Sequence, residues 1–320
     1  MMKVSIVVPV YNEDQGLAEF HRQLQKSLAL LPYHFEIWYV NDGSTDRTES
    51  LVAELMRNDD RVRLLNLSRN FGHQAAITAG LDFADGDVAI TMDGDGQHPP
   101  RYIADMLDLH QRGFDVVLTQ RAEDPRLDVF KRLTSRGFYR LINLLSGIPI
   151  LSDAADFRLM NRDSVLAFRQ IRETHRFLRG LVAWMGFRWI VLQIDPGQRI
   201  AGNSKYNLRK MVRLAYEAVF SFSTIPIRLS ILLGIFVLGL ALLQFLDPLT
   251  LIVTGRAKEL VPGWTTLIIS VLILGAAQVI TLSIIGQYIG LIYEEVKRRP
   301  IYFLRGRPLD RVALEEEEKL

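Results

Sequence analysis

Two carboxylates separated by a single glycine, Asp93 and Asp95, are the residues in this sequence best suited to chemistry. They follow the apolar run Val88–Thr91, where a buried strand is expected to end. Paired carboxylates can share a hard cation such as magnesium or manganese, which prefers oxygen ligands and leaves positions open for substrate phosphates. A carbonyl of Gln97 or the ring of His98 could complete the ligand shell. Alone, such a motif is more often a solvated turn.

Further polar side chains follow other apolar runs. Asp42 could accept hydrogen bonds from a base or a ribose. Tyr11 could stack on a base, and Glu13 could accept a hydrogen bond from it. Helix capping is the competing interpretation for Asn12, for Glu13 and for the segment Ser44–Asp46.

A sheet with alternating helices is expected to position these residues. Five short apolar runs predict strands, and the stretches between the first three have an apolar stripe at helical spacing. This alternation is typical of a mostly parallel sheet with helices on both faces, whose ligands bind at the carboxyl ends of the strands. After the third run, Gly72 could let a backbone approach a diphosphate, or mark a simple loop-to-helix junction. The runs are Val4–Val10, Phe35–Val40, Arg63–Leu67, Val88–Thr91 and Val116–Thr119.

Composition narrows the classes of protein. The 320 residues suffice for one large domain or two modest ones, and a net charge of +2 gives no strong overall field for nucleic acid. The absence of cysteine excludes disulfides and thiolate metal sites and fits a reducing compartment. The acidic run Glu315–Glu318 is interpreted as a frayed, solvated tail. The first apolar run is too short for a signal peptide, so we expect the N-terminus in the cytoplasm.

Two apolar stretches, 225–246 and 264–293, reach the roughly 20 residues that a membrane-spanning helix needs. A pair of buried core helices is the alternative, but core helices of this length usually carry charge on one face. Basic residues flank the pair on the sides away from the connecting loop, which predicts cytoplasmic termini. Two basic amphipathic stretches, 130–142 and 207–216, are expected to lie in the membrane interface or, alternatively, to be ordinary surface helices.

Three motifs together resemble glycosyltransferase family 2. They are Val7–Glu13, Asn41–Asp46 and Asp93–Pro99, in the order and spacing of its polyprenyl-phosphate sugar transferases, which are related to dolichol-phosphate mannose synthase. The segment Gly286–Pro300 resembles the bacterial undecaprenyl-phosphate glucosyltransferase branch, which also has two membrane helices. The resemblance covers nearly the whole chain and implies an α/β, glycosyltransferase A-type domain that binds a nucleotide sugar.

The resemblance also assigns roles to residues. The predicted metal ligands are Asp93, Asp95 and Gln97. The predicted nucleotide site comprises Pro9, Tyr11, Asn12, Glu13, Asp42, Ser44, Asp93 and Gly94. The diphosphate and the acceptor phosphate are assigned to Arg121, Lys131, Arg132, Ser135, Arg199, Ser204 and Lys205. The predicted catalytic residues are Asp95, Asp156, Arg121, Lys131 and Ser135.

Two of these assignments leave alternatives open. Relatives often have arginine where this chain has Lys131, and the neighbouring Arg132 could take over its role. Many family members place a general base near Asp153 and Asp156. An acceptor phosphate has its second pKa near about 6 and needs no strong base, so we expect either aspartate to position cations or the donor sugar.

The expected activity is inverting, metal-dependent transfer of a sugar from a nucleotide to a lipid phosphate. UDP-glucose and undecaprenyl phosphate are the first expectation, with N-acetylglucosamine, aminoarabinose or mannose as alternative sugars. A processive polysaccharide synthase is disfavoured, because Met185 stands where a Gln-x-x-Arg-Trp segment needs its glutamine. A non-catalytic membrane sensor of nucleotide sugars is the rival from another class. The expected partners are the donor, the lipid acceptor and the bilayer, without nucleic acid, and relatives suggest a homo-oligomer.

The predicted organisation has four parts and places the protein as a multi-pass protein of the bacterial cytoplasmic membrane. A cytoplasmic catalytic domain covers 1–204 and includes an interfacial helix near 130–145. A juxtamembrane amphipathic helix covers 205–224, and the two transmembrane helices lie within 225–293. A cytoplasmic tail covers 294–320.

Overall fold

The computed structural model describes residues 1–121, 154–174, 176, 178–195, 225–253 and 263–310. The chain divides into two compact units. The first contains the strands and the shorter helices, and also the segment that begins at Arg299. The second contains two long helices. The amphipathic stretches 130–142 and 207–216 lie outside the described residues.

Seven strands form one sheet in the first unit. They are β1 (Lys3–Val10), β2 (His34–Asn41), β3 (Val62–Asn66), β4 (Val88–Thr91), β5 (Val116–Arg121), β6 (Ala154–Asn161) and β7 (Trp189–Ile194). Their order is β3-β2-β1-β4-β6-β5-β7. Only β6 runs antiparallel to its neighbours, β4 and β5, and the other pairs are parallel. The predicted α/β domain with a mostly parallel sheet is confirmed.

Six helices cover this sheet in the described part of the chain. They are α1 (Leu17–Leu28), α2 (Thr48–Asn58), α3 (His73–Phe83), α4 (Tyr102–Gln111), α5 (Arg162–Gln170) and α6 (Leu178–Trp184). The predicted stripe of α1 is buried at Leu17, Phe20, Leu24 and Leu28. Full burial of one such side chain contributes about 1.5–3 kcal/mol. The central strands are apolar on both faces, as a sheet covered on both sides requires.

The second unit consists of α7 (Ile225–Val253) and α8 (Trp264–Val296). Within α8, Ile269–Val296 is long and apolar enough to cross a membrane. In α7 the apolar stretch of described residues, Ile225–Leu240, is shorter than a span. Large apolar side chains such as Phe236 and Leu282 are exposed on these helices. Exposed apolar surface of this extent indicates membrane association.

A buried polar cluster connects α1 to the end of α2. The Asp59 carboxylate accepts hydrogen bonds from Gln25 (2.9 Å) and from Arg61 (2.8 and 2.7 Å). His21 lies 3.6 Å from the same carboxylate, and its other ring nitrogen contacts the Tyr39 hydroxyl at 3.0 Å. Burial alone raises the pKa of Asp59. The contacts with His21, Arg61 and Gln25 outweigh it and hold that pKa well below its usual range.

Replacing Asp59 with asparagine is expected to lower the free energy of unfolding by about 1–3 kcal/mol, because the buried donors lose an ionised acceptor. Asp59 has a depressed pKa in the folded state, so its stabilisation is complete above the pKa of an unfolded aspartate. It is lost as the pH falls below about 4. The free energies of unfolding of the unmodified chain and of Asp59→Asn, measured by urea titration, should therefore converge as the pH falls from neutral to acidic values. Asp105→Asn, at an exposed position of α4, is the control, and an equal loss in both variants would contradict the role of the cluster.

Candidate functional site

The turn after β4 presents the two candidate metal-binding carboxylates. The backbone N–H of Asp93 donates to Nδ1 of His98 (2.9 Å), and the N–H of Gln97 donates to the carboxylate of Asp95 (2.9 Å). Gly96 has a φ of +83°, in the left-handed region that favours glycine. The turn therefore folds back on itself and keeps both carboxylates half-buried at its rim.

His98 supports this turn from inside. Its ring is buried and stacks on Phe157, with 5.5 Å between ring centroids and an interplanar angle of 19°. Burial lowers the pKa of His98, so the ring is neutral near pH 7. Because Nδ1 accepts the Asp93 N–H, we assign the ring proton to Nε2. The structure thus gives His98 a supporting contact in place of the metal-ligand role that the sequence left open.

A second polar group faces the same turn. Nε2 of His73 lies 3.3 Å from the carboxylate of Asp93 and 3.7 Å from that of Asp156. Asp156 is ion-paired with the buried guanidinium of Arg158, and its backbone carbonyl accepts a hydrogen bond from Thr91 at 2.7 Å. Desolvation opposes the charge on His73, but the hydrogen bond to Asp156 and the carboxylates raise its pKa overall. The site therefore carries alternating negative and positive groups.

Arg121 and Gln97 were assigned to the site separately, and the structure brings them together. A guanidinium N–H of Arg121, at the end of β5, donates to the side-chain oxygen of Gln97 at 2.8 Å. This contact places a cation beside the carboxylate turn.

The donor atoms of this turn fit a divalent cation that keeps several waters or phosphates. Among the described residues, no group of three or more His, Cys, Asp or Glu side chains is arranged around one metal position. Asp93 and Asp95 supply two carboxylates, and the amide oxygen of Gln97 has a second lone pair beside the one used by Arg121. Magnesium is commonly held by only one or two carboxylates together with substrate phosphates.

The ends of β1 and β2 form the other side of the candidate site. Gly94 lies against β1, because a Cβ on it would be 3.4 Å from a methyl group of Val10. Tyr11, the next residue along, is 45% exposed, so its ring is available for stacking on a base. Pro9 is buried within β1 and precedes this exposed tip.

Asn12 links the two strand ends. It has a φ of +54°, which is uncommon for a residue with a side chain. Its N–H donates to Ser44 (3.1 Å), and its side-chain oxygen accepts from the N–H of Thr45 (2.9 Å). The N–H of Glu13 donates to the hydroxyl of Thr48 at 2.9 Å. The competing prediction that Asn12 caps α1 does not match these contacts, since Gly16 precedes that helix without a side-chain cap.

Asp42 joins β2 to the loop after β3. Its carboxylate accepts the backbone N–H groups of Phe71 (2.7 Å) and Gly72 (2.9 Å). Burial raises the pKa of Asp42, while these two hydrogen bonds oppose the rise. An ionised carboxylate has about four lone-pair sites, and these two hydrogen bonds occupy two of them.

Several predicted residues lie outside the part of the chain that the structure describes. They are Lys131, Arg132, Ser135, Asp153, Arg199, Ser204 and Lys205. Their assignments stay predictions. In the described part, sequence reasoning missed the roles of His73 and Arg158. The position of His73, directly after the glycine that precedes α3, was the available signal.

Comparisons with known proteins agree on one family. The model of glycosyl transferase family 2 matches residues 5–167. The SfII prophage-derived bactoprenol glucosyl transferase of Shigella flexneri is 38% identical over 315 residues, covering 96% of this chain and 100% of the relative. The prophage bactoprenol glucosyl transferase homolog of Escherichia coli K12 is 37% identical over 308 residues, covering 95% and 99%. Mannosyltransferase PcManGT from Pyrobaculum calidifontis, solved with GDP-Man and Mn²⁺, is 19% identical, with a TM-score of 0.45 over 87% of this chain and 86% of that one.

Proposed function

Because the chain belongs to glycosyltransferase family 2 and is a glycosyltransferase, we propose that it transfers glucose from UDP-glucose to a polyisoprenyl phosphate. The observation that carries this proposal is the meeting of Asp93 and Asp95 with an exposed Tyr11 at neighbouring strand ends. Relatives named bactoprenol glucosyl transferases support the lipid acceptor and the glucose. The apolar helix within α8 supports a reaction at a membrane.

The donor would lie across the ends of β1, β2 and β4. Tyr11 would stack on the base, and Asp42 and Glu13 would accept hydrogen bonds from the base or ribose. Asp93, Asp95 and Gln97 would hold magnesium or manganese. When bound, this cation supplies positive charge to the diphosphate that leaves. Arg121, which already donates to Gln97, would add a second positive group there.

The reaction would be a single displacement. An oxygen of the acceptor phosphate forms a bond to the anomeric carbon, the bond to the nucleoside diphosphate breaks, and the diphosphate takes the electron pair. One displacement inverts the anomeric configuration. The acceptor phosphate is largely ionised at neutral pH, since its second pKa is near about 6. No residue has to remove a proton, and Asp156, held by the buried Arg158, would position His73 for the phosphate or the sugar.

The membrane arrangement is part of the same proposal. Both α7 and α8 would span the bacterial cytoplasmic membrane, with the catalytic domain, the tail and both termini on the cytoplasmic side. The acceptor would then reach the site by diffusion in two dimensions. We expect residues 1–204 to form the catalytic domain together with the segment that begins at Arg299. We also expect the chain to act as a homo-oligomer.

The decisive experiment is a donor panel in membranes that contain the purified full chain. UDP-glucose, UDP-N-acetylglucosamine, UDP-aminoarabinose and GDP-mannose would be offered with undecaprenyl phosphate and either magnesium or manganese. We expect transfer from UDP-glucose, inversion at the anomeric carbon and loss of transfer in EDTA. Undecaprenol, which lacks the phosphate, is the matched control acceptor. Transfer from another nucleotide sugar would show that the donor is not UDP-glucose. Donor binding without any transfer would favour a sensor.

A further inference from the structure

The segment that follows α8 adds a short ribbon to the edge of the catalytic sheet. β3 is an edge strand of the sheet, and Leu64 and Leu309 exchange two backbone hydrogen bonds of 2.9 Å across it. The N–H of Ser68 donates to the carbonyl of Phe303 at 2.8 Å, and the N–H of Arg305 donates to Asn66 at 2.7 Å. We call residues 302–309 the tail ribbon. This pairing could not be predicted from local sequence patterns, since it joins residues about 240 positions apart.

Side chains attach the tail ribbon to two helices. The Tyr302 hydroxyl donates to the carboxylate of Asp82 in α3 at 2.9 Å, and Arg305 is ion-paired with Glu49 in α2. Leu309 is buried against the core. Contacts with two helices and a strand make the ribbon a fixed part of the catalytic unit.

The tail ribbon contacts the loop that carries the Asp42 hydrogen-bond donors. This loop, residues 68–72, leaves β3 at the point where Ser68 bonds to Phe303. The rings of Phe303 and Phe71 lie 6.2 Å apart at 51°. On its opposite side, the loop gives the N–H groups of Phe71 and Gly72 to Asp42. The loop therefore lies between the ribbon and the candidate nucleotide site.

The contact between this loop and β2 leaves little room for movement. A Cβ placed on Gly43 would lie 2.5 Å from the carbonyl carbon of Arg69, and the φ of Gly43 is +68°. A shift of the loop toward β2 is blocked by this close approach, whereas a shift away from β2 is opposed by the Phe303 contacts. The position of the Asp42 carboxylate thus depends both on the close approach at Gly43 and on the contacts of Phe303.

We propose that Phe303 is a positioning residue for the nucleotide, acting through the loop 68–72 on Asp42. The proposal rests on the proposed function, because it assumes that Asp42 faces the donor. Its consequence is that donor affinity depends on a residue beyond the last apolar helix. The acceptor and the chemical step should be little affected, since Phe303 contacts the loop at Ser68 and Phe71.

The test compares Phe303→Ala with the unmodified full chain. Loss of the Phe303 ring contact should raise the KM for UDP-glucose by up to about tenfold while kcat stays within about twofold. Phe303→Leu, which keeps an apolar side chain, should recover most of the affinity. Leu166→Ala, at an exposed apolar position of α5, is the control. An unchanged KM in Phe303→Ala would overturn the proposal.

Hydrogen exchange provides a readout that needs no sugar transfer. In Phe303→Ala the backbone amides of Phe71 and Gly72 should exchange faster, because the loop opens more often. The amides of β1 should keep their protection, which shows that the variant has folded. Faster exchange with no transfer from any donor would refute the proposed function but keep the link between ribbon and loop. Unchanged exchange of these two amides would refute the link itself.

Discussion

Replacing Asp95 with asparagine is expected to reduce sugar transfer by about 10²–10³-fold. Asparagine has nearly the same shape, but it removes the charge that would hold a divalent cation beside the leaving diphosphate. The turn should survive, because an asparagine oxygen can still accept the N–H of Gln97 that the carboxylate accepts now. The measurement is initial rate of transfer at saturating donor, over a range of magnesium and manganese concentrations.

Asp105 provides the matched control for this substitution. It is an exposed aspartate in the first turn of α4, away from the carboxylate turn in sequence. Asp105→Asn should retain transfer within about twofold, as surface substitutions usually do. If Asp95→Asn retained most of its activity at every metal concentration, Asp95 would not be a ligand of a catalytic cation.

Replacing Arg158 with methionine is expected to lower the free energy of unfolding by about 3–5 kcal/mol and to abolish transfer. Its side chain is 2% exposed, pairs with Asp156 and donates to the carbonyl of Leu178 at 3.2 Å. Methionine fills part of the space but leaves the Asp156 carboxylate without its cation. Urea unfolding of the full chain in detergent measures the loss.

A double variant separates stability from activity at this ion pair. Changing Asp156 to leucine together with Arg158→Met removes both charges, and such pairs are often replaced by apolar residues at little cost. The double variant should recover most of the stability and stay inactive. Arg47→Met, at the exposed position just before α2, should change stability by no more than about 0.5 kcal/mol. A single Arg158 variant as stable as this control would show that the pair contributes little.

The part of the fold that could be predicted is the part with uninterrupted apolar runs. Val4–Val10 and Val88–Thr91 are buried on both faces, so their composition alone indicated strands. β6 was missed because Asp156 and Arg158 interrupt its apolar pattern, although the ion pair satisfies both charges inside the sheet. Local periodicity cannot report a pairing that forms only when the strand lies beside β4.

The candidate site was likewise predictable only in part. Asp93 and Tyr11 were predictable because each directly follows a strand whose carboxyl end must face the ligand edge. The contact of His73 with Asp93 was not, because it depends on how α3 is placed relative to the turn after β4. The inward position of His98 depends likewise on Phe157 of β6, a strand that the sequence did not reveal.

The tail ribbon also sets the order in which this sheet can be completed during synthesis. Chains emerge from the ribosome at about 5–20 residues per second, N-terminus first. β3 is made early, but Phe303 and Leu309 follow both apolar helices in the chain. Until they emerge, the edge of β3 has open backbone groups that can pair with another chain. The edge of β3 in the nascent catalytic unit therefore stays open until both long helices have been made.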